Sequence, residues 1–539
     1  MALTIATFVF FTTLVALIVY IIIRKNPQSG AEGYFLGGRQ LTAWVIAGSL
    51  ILTNLSTEHL IGLNADAFRH TIAVMAWETT AALAMVVTAL FFLPRYLKRG
   101  LTTIPDFLEE RFSKTTALIA TILFLFSYVI AILPVVLLFG ATGIESLFGI
   151  SGMFGIERAS AVWILVWLIG GIGSFYAIFG GLRAVALSDT INGIGFLLMG
   201  LLIPILGLMA IGAGNPIKGA GELYAAVPDK FDITGDEPGS FLPFSVLFTG
   251  MIVNQLFFWG ANQSIVQRAM AARSLKEGQK GVLIAAWFKL LGPAIIVLPG
   301  VIAFHMFRDE LSAEDAMQAY PMLVNEVLPP ALRGAFAAVM FGAVLSTFNS
   351  VLNSSATLFS KNIVLLVSPE TEDRGLVISG RACSIVLALG AMIIAPLIDT
   401  SGSVYNYLQK TNATFFGPML AVILLGFVTR RTSAVSANFG LVAGPVVFFL
   451  LVFVFGAQVQ TYLQSTFHLT HDLHFLHFLA FIFLLTIGLM LLVSTVFPNR
   501  QPYEIRDRGV VDLEPWRWSR EHAILISIVT ILMYVLFAR

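Results

Sequence analysis

The sequence predicts an all-α integral membrane protein of about fourteen transmembrane helices, and three observations predict it. Of its 539 residues 57% are hydrophobic and only 12% charged, with a mean hydropathy of +0.87. A soluble domain carries roughly 25% charged residues, so the solvent for most of this chain is lipid. Apolar windows long enough to cross a bilayer recur to the end of the chain, centred near residues 13, 52, 84, 130, 169, 200, 252, 292, 348, 387, 416, 445, 485 and 530. Lysine and arginine are also unevenly shared between alternate loops. One set of loops holds 23 of the 32, including Arg24, Lys25, Arg268, Arg500 and Arg506. The other holds only Arg69, Arg158, Lys218, Lys230, Arg308, Arg333 and Arg539, while Lys289 and Lys410 fall within spans. The positive-inside rule puts the larger set in the cytoplasm and both termini outside. A miscounted span would scramble that pattern, so the asymmetry supports the count.

Along the chain, the first stretch, MALTIATFVFFTTLVALIVYIIIRK, lacks a basic leader and a small-residue cleavage site. It reads as a retained helix over 3–25. The segment TTIPDFLEERFSK, between the third and fourth spans, is expected on water. Polar stretches at 213–240 and 307–332 are loops, each with one surface helix. A formal net charge of +1 gives nucleic acid no electrostatic footing. Cys383 is the single cysteine and lies in an apolar run, so it reads as a small buried hydrophobe. No Walker, GxSxG or HExxH motif occurs, so the chain reads as a non-enzyme.

The second span places Thr53, Asn54, Ser56, Thr57, Glu58 and His59 at mid-membrane depth, beside Gly48 and Gly62. Each unpaired polar group there costs several kcal/mol, so the stretch faces protein or a cavity. An interrupted helix offering carbonyls to an ion accounts for it; a polar helix seam explains Asn, Glu and His together poorly. The ninth span, FGAVLSTFNSVLNSSATLFS, carries adjacent hydroxyls at Ser346 and Thr347. Neutral oxygens of this kind suit sodium, although Ser and Thr also bond back to their own helix.

Glu78, Asp189, Gln255, Lys289 and Gln409 also lie inside spans, with Trp77, Phe257, Phe258, Trp259 and Tyr405 close by in sequence. Glu78 and Lys289 have opposite signs and are placed to pair. Carboxylate, ammonium, amides and aromatic faces together recognise a hydroxylated ring. His468, His471, His474 and His477 recur every third residue; an interfacial polar stripe is expected there rather than a zinc site. In EPWRWSREH, Trp516 and Trp518 are expected at headgroup level, with Arg517 and Arg520 facing lipid phosphates.

The stretches ILTNLSTEHLIGL, TTIPDFLEERF, YAIFGGLRAV, SDTINGI, WGANQSIVQRAMAARS, LPGVIAF and LSTFNSVLNSSATLFS resemble the solute:sodium symporter family in order and spacing over roughly 34–430. The likeness is to the sodium/glucose cotransporters, within a bacterial subgroup. It implies a leucine-transporter-like fold with a five-plus-five inverted repeat over 41–430 (spans two to eleven). The helix at 3–25 and those over 431–539 would be additions, all within one transport domain, 1–539. It implies a sodium site at the carbonyls of Leu52, Leu55 and Ala343 and the hydroxyls of Ser346 and Thr347, with Asp189 near the sodium exit. It also implies solute contacts at His59, Glu78, Gln255, Lys289 and Gln409, an outer gate of Leu63, Trp77 and Tyr405, and Phe258 as stacking inner gate. In the family's sugar carriers Gln is usual at His59, a hydroxyl residue at Ala81, Asn at Gln255 and Tyr at Phe258.

The expected function is uptake of a small polar solute, a sugar or sugar derivative, coupled to inward sodium flow across the cell membrane (the inner membrane of a bacterium). The same machine carrying an amino acid, a carboxylate or a polyol is the nearest alternative. A transporter-fold membrane sensor is the alternative of another class.

Overall fold

The computed structural model describes residues 1–25, 30–234, 240–499, 503 and 507–537. Arg500, Arg506 and Arg539, counted above for orientation, lie outside the described residues, as does 235–239 of the polar stretch at 213–240. A bilayer offers backbone amides no water, so spanning segments satisfy them within helices.

The chain begins with α1 (Ala2–Arg24), followed by two short helices, α2 (Ala43–Asn54) and α3 (Asn64–Arg69). Next come α4 (Ile72–Arg99), α5 (Lys114–Phe148), α6 (Arg158–Ile178) and α7 (Gly180–Ile211). A second interrupted stretch gives α8 (Gly250–Gly260) and α9 (Gln263–Met270). Helices α10 (Leu275–Lys289) and α11 (Pro293–Phe307) meet at a 41° bend. The chain continues through α12 (Pro330–Val367), α13 (Asp373–Leu397), α14 (Val404–Val428), α15 (Ala434–Val454), α16 (Phe475–Val496) and α17 (Ser519–Leu536).

Among the described residues eleven helices are long and apolar enough to span, or twelve if the bent pair is one span. The expected fourteen are therefore not fourteen continuous helices. The windows near 52 and 252 are each split into short pieces; at 1.5 Å per residue, a helix the length of α2 reaches only about 18 Å into a core about 30 Å thick.

Packing follows the polarity of each helix. In α12 the most apolar window is 89% buried, against 6% for α1 and 22% for α17. The hydroxyl-rich helix is thus central, and the uniformly apolar ones face lipid. Between α6 and α7 the backbone turns at Gly181, with φ 62°. A Cβ there would sit 3.0 Å from the Tyr34 carbonyl, in a conformation that disfavours side chains.

The two loop sets gather at opposite ends of the bundle. At one end Arg39 donates to the carbonyls of Met270, Gly100 and Leu101, and the Ala31 amide donates to Asp373 at 3.0 Å. At the other, Arg69 donates to Ala313 O at 2.7 Å and Lys230 to the carbonyls of Phe68 and His70 at 2.6 Å. The start of α1 packs against Gly334 at this second end, where Tyr534 of α17 bonds Thr79 at 2.7 Å and packs against Phe244.

Several expectations are corrected. The segment TTIPDFLEERFSK does not simply lie on water: Ile104–Arg111 is a helix with a Thr103–Asp106 capping box. Its Arg111 is 3% exposed and donates to the carbonyls of Gly426, Thr429 and Thr432 at the end of α14. Helix C-terminal carbonyls attract such a cation. Arg268, assigned to a loop, is fully buried. Cys383 is half-buried rather than buried. The four histidines form no helical stripe: His468 ends one helix with φ 53°, and His474 caps the start of α16. His477 bonds Thr249 at 3.1 Å. Trp518 is exposed as expected of an anchor. Trp516, however, turns inward: its amide donates to Gln279, and its ring packs on His522.

A cavity and an oxygen cluster at the helix breaks

The break after α2 arises because Ser56 and His59 abandon the helical pattern. The Ser56 amide, which would reach Leu52 in an unbroken helix, donates to Asn54 O at 2.9 Å instead. The His59 amide, which would reach Leu55, donates to Ser56 O at 3.1 Å. The carbonyls of Leu52 and Leu55 thereby lose their helical partners at the negative end of α2. A π-helical turn, Glu58–Leu63, then leads into α3.

Helix α12 meets this break through oxygen. Thr347 Oγ1 donates to Thr53 O at 2.7 Å, and Ser56 Oγ donates to Ala343 O at 3.2 Å. The Thr53 and Ser346 hydroxyls are 3.4 Å apart. Ala343, Ser346 and Thr347 thus meet the α2 break at Thr53 and Ser56, the neighbours in sequence of Leu52 and Leu55, and the groups that meet are neutral oxygens of a kind suited to a hard monovalent ion.

On the basic-rich side of this cluster lies a charged network. Ser49 donates to Asp189 Oδ2 at 2.6 Å, and Arg268 donates to Ser49 at 2.7 Å and to Ser264 O and Ser350. Asp189 and Arg268 are 3.9 Å apart. Asp189 thus borders the oxygen cluster, bonding Ser346 and lying 3.5 Å from the Thr53 hydroxyl.

Beside the break lies a narrow cavity, with about 40 Å³ of space for water-sized groups. His59, Gln255, Lys289 and Gln409 line it, with Trp77, Phe258, Trp259 and Tyr405 as aromatic walls and Thr347 at the boundary with the oxygen cluster. Glu78 stands behind Lys289, with Nζ 2.6 Å from Oε2. Lys289 also donates to Asn54 at 2.5 Å. His59 Nε2 is 3.2 Å from Glu78 Oε1 and 3.5 Å from Tyr405 Oη. Gln255 donates to the Trp77 carbonyl at 2.8 Å.

Trp77 packs edge-on against Tyr405 with ring centres 5.9 Å apart, and both are nearly fully buried. Leu63 is buried too but does not line the cavity. Asn54, Glu58, Trp259 and Arg268 belong to the site or its border, although the sequence assigned none of them a binding role. Asn54 and Glu58 were visible as polar residues at mid-span. Arg268 was hidden because it follows an apolar window and reads as the first cation of a loop.

A model of the sodium:solute symporter family matches residues 34–444. The chain belongs to this family. It is 41% identical over 518 residues to an uncharacterized symporter, YidK, of Escherichia coli, covering 96% of this chain and 88% of that one. It is 32% identical over 452 residues to the sodium/glucose cotransporter of Vibrio parahaemolyticus, covering 79% and 80%. Among solved structures it resembles a substrate-bound, outward-open Na⁺-coupled sialic acid symporter, with a TM-score of 0.76 at 20% identity, covering 93% of this chain and 99% of that one. That likeness is one of fold. This family member is a multi-pass membrane transporter, not an enzyme; sodium is the coupled ion and a small solute the cargo.

Proposed function

We propose that the chain imports a sugar or sugar derivative by sodium-driven alternating access. The observation that carries this reading is the Lys289–Glu78 pair, tied to Asn54 and His59 and facing a cavity walled by four aromatic residues. Polar groups would take the solute's hydroxyls while a ring covers its C–H face. His59, Gln255, Lys289 and Gln409 contact the solute, and Glu78 reaches it or fixes Lys289. Sodium is held by the carbonyls of Leu52, Leu55 and Ala343 and by Ser346 and Thr347. Asp189 receives it on the way to the cytoplasm.

In this reading Leu63, Trp77 and Tyr405 close the outer side, and Phe258 closes the inner one. Residues 41–430 form the inverted-repeat core, flanked by the helix at 3–25 and those over 431–539. The basic-rich end lies in the cytoplasm, with the chain in a bacterial inner membrane.

The sodium assignment is tested in proteoliposomes, where Thr347→Ala should abolish sodium-driven uptake; undiminished uptake overturns it. The cargo is tested by thermal shift of the purified protein against a panel of sugars, with and without sodium. Stabilisation by a sugar only when sodium is present is the expected result, and stabilisation by amino acids alone would replace the sugar.

A further inference from the structure

Donors and acceptors around the cavity are unequally satisfied. Lys289 already gives to Glu78 and Asn54, and the Gln255 amide gives to the Trp77 carbonyl. On the acceptor side, Glu58 Oε2 has no partner although the residue is only 7% exposed and lines the cavity. His59 Nδ1 is likewise unpartnered and stands 3.9 Å from Glu58 Oε1, beyond hydrogen-bond reach.

The charges are unequal in the same direction. Lys289 stands 2.6 Å from Glu78, whereas Glu58 has only the His59 ring, 3.9 Å from its Oε1. A buried carboxylate lacking a partner is costly unless a ligand completes it. Glu58 begins the helical turn after the break, and the positive end of that turn favours a carboxylate but supplies no counter-ion. An anionic solute would meet the Glu58 and Glu78 carboxylates with only Lys289 to offset them. A cationic one would complete the set.

We propose that Glu58 is a solute-binding residue that takes a protonated amine, so that the cargo is an amine-bearing, sugar-like solute. This rests on the sugar reading for the ring and adds the charged substituent. The amine sits against Glu58 Oε2, and the Lys289–Glu78 pair and the aromatic walls hold the remainder of the solute.

The test uses the full-length protein in detergent with sodium present. Binding of glucosamine and galactosamine, their parent hexoses and glucuronate is read from the fluorescence of Trp77 and Trp259. The amino sugars should bind at least tenfold more tightly than the parent hexoses, and glucuronate should not bind. Glu58→Gln should remove that preference and bring amino sugar and parent to equal affinity, whereas Glu58→Asp should restore part of it. A cooperative melting transition in both variants shows that they fold. Equal binding of parent and amino sugars by the unaltered protein, or a preference that survives Glu58→Gln, overturns the proposal. If no sugar of any kind binds, ethanolamine and 3-aminopropanol are tried. Glu58-dependent binding of these amines would refute the sugar reading and keep the amine. Their failure too would refute both.

Discussion

Lys289 and Glu78 hold opposite charges 2.6 Å apart with almost no exposure. Removing one partner of such a pair leaves a buried charge, at a cost of about 3–5 kcal/mol. Lys289→Ala should therefore lower the melting temperature in detergent markedly and abolish uptake. The pair Glu78→Gln with Lys289→Met should recover most of that thermal stability while uptake remains lost. If the single variant melts like the parent, the pair does not hold the cavity together. His70, in the loop after α3, stacks on Phe241 with ring centres 4.2 Å apart. Burial, then the nearby Lys230 and Arg69 charges, push it down to about 4 from 6.5. The folded state thus binds its proton less readily than the unfolded one, so the stability it contributes is present above pH 6.5. That stability falls as the pH drops from 6.5 towards 4. Melting temperatures across this range should decline less steeply in His70→Phe, and parallel declines would dismiss the effect.

Among the elements, α2 and α12 build the oxygen cluster because one is broken and the other is not. The break frees two carbonyls, and the intact α12 meets the same segment at Thr53 and Ser56 through Thr347, Ser346 and the Ala343 carbonyl. Helix α2 holds its place against α7 at Gly48, where a Cβ would come within 2.8 Å of the Thr190 Cα. Backbone cannot yield as a side-chain tip can. Gly48→Val should cost about 1–3 kcal/mol by overpacking and weaken sodium-dependent uptake, because Ser49 and its bond to Asp189 would move with the helix. Thermal melts and sodium titrations of uptake check both effects; a silent substitution would mean that the α2–α7 crossing is not close-packed.

For the whole molecule, the segregation of loops between two ends gives orientation a direct test. In a Cys383→Ser background, single cysteines at Leu3, Ile217 and Leu536 should react with an impermeant maleimide from outside intact cells. A cysteine at Val367 should react only after the membrane is opened. Labelling of Val367→Cys in intact cells would invert the assignment.

The all-helical membrane class was legible in composition and in repeated apolar windows, because a bilayer permits few other solutions. The mid-span polar residues were legible too, because polar side chains at that depth are so costly that their presence announces a purpose. The break in the window near 52 was legible from its mid-span polar residues; the one in the window near 252 was not, since hydropathy reports composition and not which amide bonds which carbonyl. Arg111 and Arg268 were misread for a related reason. Loop arginines and buried arginines are identical in a sequence; only the arrival of the α14 carbonyls, or of Ser49, Ser264, Ser350 and Asp189, separates them. The sequence by itself determined the solvent, the helices and the polar residues they carry. Tertiary structure alone decided which of those residues are already paired and which, like Glu58, are left facing a cavity, because satisfaction of a buried polar atom depends on partners hundreds of residues away.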